Sequence, residues 1–261
     1  MGKNSDISWT THSFSPWWGC VEVSPACDNC YARELDKRFP VNGVTHWGKD
    51  APRRFFGEKH WRQPLNWNRA AEKSGERARV FCLSMGDICE RRDDLDAERL
   101  KLWPLIEATP WLDWLLLTKR PNDFERVLPD QWLESPRENV WLMTTIESPG
   151  YYWRWHHLKK VPAAIRGISY EPALEEISVG DLVAAGGPKP DWIIAGSESG
   201  SKARQAKDDW YRALAYQCYQ RHIAFHMKQI CDRGKPIDFA EFPGDLQVRQ
   251  YPLASLPLVR L

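Results

Sequence analysis

Six short apolar runs constrain this chain more than any other feature. They are RVFCLSM (79–85), WLLLTK (114–119), VWLMTTI (140–146), IRGISY (165–170), DWIIAGS (191–197) and IAFHMK (223–228). They are too short for ordinary helices and mostly lack two-residue alternation, the pattern of strands covered on both faces. Helix-like stretches separate them. DLDAERLKLWPLIEA (94–108) has an acidic start and a proline, Pro104, expected to kink it. PNDFERVL (121–128) opens on proline, and DDWYRALAYQCYQRH (208–222) spaces its apolar residues helically. Strand–helix alternation is the signature of a parallel sheet. With a first strand expected near 13–18, the series holds six or seven β/α units. The predicted fold class is α/β, a partial (β/α)6 or near-complete TIM-like barrel, with an open doubly wound sheet as the alternative. The chain reads as one domain over 1–261, with an inserted basic-aromatic segment at about 40–78 and a proline-punctuated tail at about 230–261.

Polar residues follow the apolar runs: Asp87, Lys119 with Arg120, Glu147, Glu171 and Glu198. In a parallel barrel or sheet these positions are the C-terminal strand ends, where active sites sit. Charged residues also end strands simply because loops are wet, but five strands in succession favour a site.

The 36 basic and 35 acidic residues nearly cancel, so a nucleic-acid partner would need a local patch rather than a global field. No apolar run reaches transmembrane length and the N-terminus lacks a signal-peptide pattern, so no membrane contact is expected and the expected compartment is the cytoplasm. There, seven cysteines are poor candidates for a disulfide framework.

Three of the seven cluster in SPWWGCVEVSPACDNCYARE (15–34): Cys20, Cys27 and Cys30. Cysteine thiolates bind zinc and iron–sulfur clusters. Structural zinc takes four ligands, and the nearest candidates for a fourth, His12 and His46, lack a usual zinc-finger spacing. A four-iron cluster on three cysteines keeps one iron free for a substrate or cofactor. Structural zinc and ordinary cysteines remain the alternatives at this point. Cys82, in a strand run, Cys218, in a helix run, and Cys89 and Cys231 read as ordinary thiols.

The segment 15–34 resembles the N-terminal motif of a phage-associated radical S-adenosylmethionine (SAM)-like family usually described only as a phage protein, with Ser15 where the family carries asparagine. The likeness continues through FCLSMGDIC (81–89), LLLTKRP (115–121), NVWLMTTIES (139–148), ISYEPALEEI (168–177), DWIIAGSESGSKAR (191–204) and FHMKQ (225–229), nearly the whole chain. Cys-Tyr-Ala-Arg at 30–33 is also similar to the motif of spore photoproduct lyase relatives, which act on thymine in DNA. Six residues separate Cys20 from Cys27, where the common radical-SAM spacing has three.

The resemblance implies a radical SAM enzyme. A [4Fe-4S] cluster on Cys20, Cys27 and Cys30 would bind SAM at its open iron, and an external electron donor would drive release of a 5′-deoxyadenosyl radical. Tyr31 would lie beside the adenine, and Ser84, Met85, Gly86 and Asp87 would contact the SAM amino group. Glu147 would hold ribose hydroxyls or a substrate amine, and Lys119 and Ser197 complete the implied cofactor-binding set. Glu171, Glu198, Arg204 and Lys228 form the implied catalytic set, anchoring a substrate amine and carboxylate. Arg120 would add positive charge, and the turn at Ser197–Gly200 would face an anion.

Two segments suggest the substrate. Residues 53–69 carry Arg53, Arg54, Lys59, Arg62 and Arg69 with Phe55, Phe56, Trp61 and Trp67, and YYWRWHHLKK (151–160) is similarly basic and aromatic. Such residues neutralise phosphates and stack on exposed bases, and an enzyme acting on a duplex base must extrude it. With the resemblance, this implies a DNA or modified-nucleotide substrate in a phage-infected or prophage-carrying bacterial cell. The concrete form is isomerisation of an amino-acid–thymine adduct. The alternatives are a zinc-stabilised nucleic-acid-binding phage accessory protein, or a radical SAM enzyme acting on a peptide or small metabolite.

Overall fold

The computed structural model describes residues 5–40, 42–184 and 186–252. In chain order the strands are β1 (His12–Ser13), β2 (Trp17–Trp18), β3 (Arg54–Phe55), β4 (Ala78–Cys82), β5 (Leu112–Thr118), β6 (Val140–Thr145), β7 (Ile165–Tyr170), β8 (Trp192–Gly196), β9 (Ala224–Gln229), β10 (Cys231–Asp232) and β11 (Lys235–Pro236). The helices are α1 (Tyr31–Arg38), α2 (Glu58–Trp61), α3 (Gln63–Ser74), α4 (Asp96–Glu107), α5 (Phe124–Val127), α6 (Asp130–Glu134), α7 (Tyr152–Leu158), α8 (Val179–Ala184) and α9 (Asp208–Gln220).

Seven strands form one parallel sheet in the order β1-β4-β5-β6-β7-β8-β9, curled into a half-barrel flanked by helices. All six apolar runs lie on its strands. The doubly apolar pattern has a direct cause, because alternate residues enter two different cores. Val80, Trp114, Leu116, Leu142, Ile168, Ile193 and Phe225 pack in the larger core with helix residues such as Leu102, Ile106 and Leu214. Phe81, Leu115, Trp141, Met143, Ile165, Trp192 and Ile194 face the concave interior, which Trp9 plugs from the N-terminal segment. A Cβ at Gly167 would stand 2.9 Å from Met143 Cε, so the interior is filled to the point of excluding a side chain there.

The 40–78 segment supplies β3, which pairs antiparallel with β2, and α3, the helix between β1 and β4. Trp67 on α3 stacks on His12 of β1 at 4.4 Å, and Asn68 Oδ1 accepts the Trp111 amide at 2.8 Å. Gly75 ends α3 at φ +74°, the left-handed conformation a helix C-terminus often needs. The helix α4 continues through Pro104 to Glu107.

The tail covers the sheet's free edge. Beyond the β10–β11 hairpin, the Met227 amide donates to the Val248 carbonyl at 2.8 Å and the Gln250 amide to the Phe225 carbonyl at 2.9 Å. This satisfies β9 backbone groups that an open edge would present to other chains. The rest of the predicted tail, 253–261, lies outside the described residues. No helix among the described residues is long and apolar enough to cross a membrane.

Candidate functional site

The C-terminal strand ends and the cysteine segment enclose a cavity of about 390 Å³. Cys20, Cys27 and Cys30 all line it, each half-buried. Of the residues expected at a site, Tyr31, Ser84, Gly86, Asp87, Lys119, Arg120, Ser199, Glu171 and Lys228 line it too. Sequence reasoning missed Thr118, Thr145, Ser169 and Gln229 at the strand ends, and Trp47 from the inserted segment. Trp9, Phe81, Leu83 and Leu117 give the cavity an apolar side.

Backbone geometry fixes where the cysteine segment starts. Gly19 has φ +118°, and a Cβ there would collide with the His46 carbonyl and the Arg53 side chain. Its amide donates to the Met85 carbonyl at 2.9 Å, and the Met85 amide donates to Ser15 Oγ at 3.2 Å. Gly86 is equally confined, since a Cβ would meet Leu83 at 2.6 Å. Cys30 caps α1, so the third thiol sits at a helix start.

Two side-chain clasps hold the rest. In the first, Arg120 donates to the Val21 carbonyl at 2.7 Å, lies 3.9 Å from Cys20 Sγ and pairs with Asp87 at 2.9 Å. Asp87 also accepts from the Thr118 hydroxyl at 2.6 Å and from the amides of Cys89 and Lys119 at 2.9 and 3.1 Å. Burial pushes the Asp87 carboxyl up, but Arg120 and these donors outweigh it and hold it below its ordinary value. Burial, with Asp87 and Glu90 adding to it, pushes the Cys20 thiol up to about 12 despite Arg120.

In the second clasp, Glu198 accepts from Arg204 Nε at 2.9 Å, the Arg204 amide at 2.8 Å and Asn29 Nδ2 at 3.0 Å. Arg204 reaches on to the Pro25 carbonyl at 2.8 Å and Asp28 at 3.1 Å. Burial raises the Glu198 carboxyl, and the donors from Arg204 and Asn29 more than reverse it. The Tyr31 hydroxyl adds a tie to the Ser84 carbonyl at 2.9 Å, and Arg33 pairs with Glu22. Asn29 lies between Cys27 and Cys30, and that position was the available signal for its role.

On the cavity wall Lys228 pairs with Glu171 at 2.7 Å, and the Ser169 hydroxyl is 3.4 Å from the second Glu171 oxygen. A Cβ at Gly196 would stand 3.1 Å from Glu171 Oε1, so glycine leaves room for that carboxylate.

Other predicted residues stand outside the cavity lining. Met85 is buried in the core. Glu147 forms a fully buried pair with Arg154 at 2.7 Å. The Ser197 hydroxyl contacts the Tyr211 hydroxyl at 3.1 Å and accepts from the Cys231 amide at 3.3 Å. Glu198 and Arg204 are engaged with each other and with the cysteine segment. Cys82, Cys89 and Cys218 are buried and Cys231 is half-buried. Neither His12 nor His46 lines the cavity. His46 Nδ1 and its amide each lie 2.7 Å from the Asp36 carboxylate. The two basic-aromatic segments expose less than their composition promises. Arg53 is buried against Glu90, Arg154 against Glu147, and Trp67 and Trp155 are core residues.

Fold and site together define an α/β half-barrel protein with a strand-end cavity lined by three thiols, hydroxyls and paired charges. A model of the family described as "Protein of unknown function (DUF5131)" matches residues 4–239, so the chain belongs to that family. No curated protein and no solved structure matched in the corresponding comparisons.

Proposed function

We propose that this protein is a radical SAM enzyme that holds a [4Fe-4S] cluster on Cys20, Cys27 and Cys30 and acts on a nucleic-acid base. The narrower reading is a thymine derivative of phage DNA, following the resemblance described above. One observation carries the proposal. The three thiols share a cavity with Tyr31, Ser84, Gly86 and Asp87, and no imidazole or fourth thiol among the described residues lines it.

The donor set fits such a cluster. Thiolates are the usual ligands of iron–sulfur centres. When bound, the cluster and SAM supply a carbon radical that abstracts hydrogen from the substrate.

The chain's own residues do the positioning. Arg120 tethers the segment at Val21 and brings a positive charge to Cys20, which partly offsets the burial and the Asp87 charge that raise this thiol. Asp87 is paired with that same arginine. Lys228 and Glu171 offer a cation and an anion side by side for a polar substrate group. The apolar side made by Trp9, Phe81 and Leu117 keeps water from the reacting atoms.

The test is product analysis on protein reconstituted without oxygen and chemically reduced. It should convert SAM to 5′-deoxyadenosine, faster with amino-acid-modified thymine DNA, and Cys27→Ala should abolish the product. Cluster-loaded protein that yields no 5′-deoxyadenosine would contradict the radical reading. Formation indifferent to every modified DNA offered would remove the nucleic-acid substrate.

A further inference from the structure

A second cavity of about 540 Å³ adjoins the first and shares Val21, Val23, Lys119 and Arg120 with it. Six basic side chains line it: Lys49, Arg91, Arg92, Lys119, Arg120 and Arg154. Only two acids, Glu90 and Asp123, face them. Both acids are already engaged, Glu90 by the buried Arg53 and Asp123 by Arg91 at 2.7 Å. Arg120, Arg154 and Arg92 are paired with Asp87, Glu147 and Asp94. Among the described residues the Lys49 and Lys119 ammonium groups have no ion-pair partner, so the chamber keeps uncompensated positive charge.

The charge is distributed along a path. Lys119 stands on the wall common to both cavities, whereas Lys49, Arg91 and Arg92 line the second alone. The Arg91 side chain is 69% exposed, so it is accessible to an incoming anion even though its partner Asp123 is buried. Trp153 lines the same chamber, is 41% exposed and lies 5.6 Å from the Arg154 guanidinium that packs over its ring. Cations strung outward from a reaction cavity, with an accessible indole beside them, match a chain of phosphates carrying bases.

We infer that this chamber seats the phosphate backbone of a single-stranded or extruded nucleic-acid segment, with Lys49 and Lys119 on successive phosphates and Trp153 stacked on a flanking base. This deepens the proposed function, resting on the reading that the target base reacts in the first cavity. It also places the nucleic-acid surface differently from the sequence expectation. Of the 151–160 segment, Trp153 and Arg154 line the chamber, while the rest of the charge comes from the loop between β4 and α4, the end of β5 and the inserted segment.

The experiment is equilibrium binding of a fluorescent oligothymidylate to the full chain, in cluster-loaded and metal-free forms, over a series of salt concentrations. Lys49→Gln with Lys119→Gln should reduce the slope of log K against log salt by about 1.4, since each single-strand phosphate contact contributes about 0.7. Trp153→Ala should weaken binding about tenfold with little change in slope. Unchanged melting temperatures would show that the variants fold. An unchanged slope in the lysine pair, or no oligonucleotide binding at low salt, overturns the inference. Equal competition by thymidine monophosphate or inorganic phosphate overturns the extended strand in favour of a single-phosphate site. Iron content is measured on the same samples. Strand binding by protein that takes up no iron would leave this inference standing while removing the radical chemistry.

Discussion

The two ends of the half-barrel interior are built on opposite principles. At the floor, Trp9 meets Trp192 edge-on at 6.3 Å, Trp192 meets Trp141 at 5.9 Å, and Trp9 lies 4.7 Å from Phe81. The polar atoms there are few. His226 Nε2 contacts the Ser8 hydroxyl at 3.0 Å, and the Trp192 indole donates to the Gln250 carbonyl at 3.0 Å. At the mouth, the same strands end in Asp87, Arg120, Glu171, Glu198 and Lys228, tied by charge-assisted hydrogen bonds. The floor is held by area removed from water, the mouth by pairing. The comparison teaches that apolar packing and charged pairing are separated along the strand axis, with the cysteine segment clamped at the charged end.

The comparison can be broken most sharply at the floor. Trp192→Ala should cost about 3–5 kcal/mol, read from urea unfolding, because a fully buried indole leaves a cavity its neighbours cannot fill. A loss below about 1 kcal/mol would mean that the floor is not the stabilising end.

Acid should separate the ends next. Burial, helped by Arg249 and Arg79, lowers the His226 pKa from 6.5 to about 3. The folded state therefore binds this proton less readily than the unfolded chain. Stability should fall as pH drops below about 6.5, by about 1.4 kcal/mol per unit, until about pH 3. Asp87 acts in the same direction but in a lower window. Its depressed pKa contributes stability that is present above its ordinary value of 3.8 and is lost only as pH falls through the folded value below that. Urea midpoints between pH 7 and 4.5 should decline in the native protein and stay flatter in His226→Gln. Parallel decline in both would assign the acid sensitivity elsewhere.

The smallest effect belongs to the mouth. Lys228→Met should cost about 1–3 kcal/mol, less than the floor variant, because it leaves the buried Glu171 Oε1 without its partner. The same variant should lower turnover of any substrate seated against Glu171. Unfolding on the scale of the floor variant would make this pair structural.

The strands were legible because each run is apolar on both faces, and a pattern of that kind has few other uses. The observed strands begin or end within about two residues of the expected runs, for example Ile165–Tyr170 and Val140–Thr145. Helix α7 was hidden because YYWRWHHLKK reads as a basic-aromatic surface, yet Arg154 and Trp155 turn inward. The three thiols, Asp87 and Glu171 announced themselves by residue type and place. The work of Arg120, Glu198 and Arg204 did not. A charge at a strand end looks the same in one dimension whether it awaits a ligand or grips a loop 99 residues away, as Arg120 grips Val21. Pairing is a three-dimensional property, and only the fold shows which charges remain unspent.

The most direct measurement is iron, acid-labile sulfide and zinc content of the full chain after reconstitution without oxygen, alongside Cys20→Ala, Cys27→Ala and Cys30→Ala. The account predicts about four irons and four sulfides per native chain, lost in each variant while the melting behaviour of the metal-free protein is retained. One zinc per chain with no iron, or iron indifferent to the three cysteines, would contradict it.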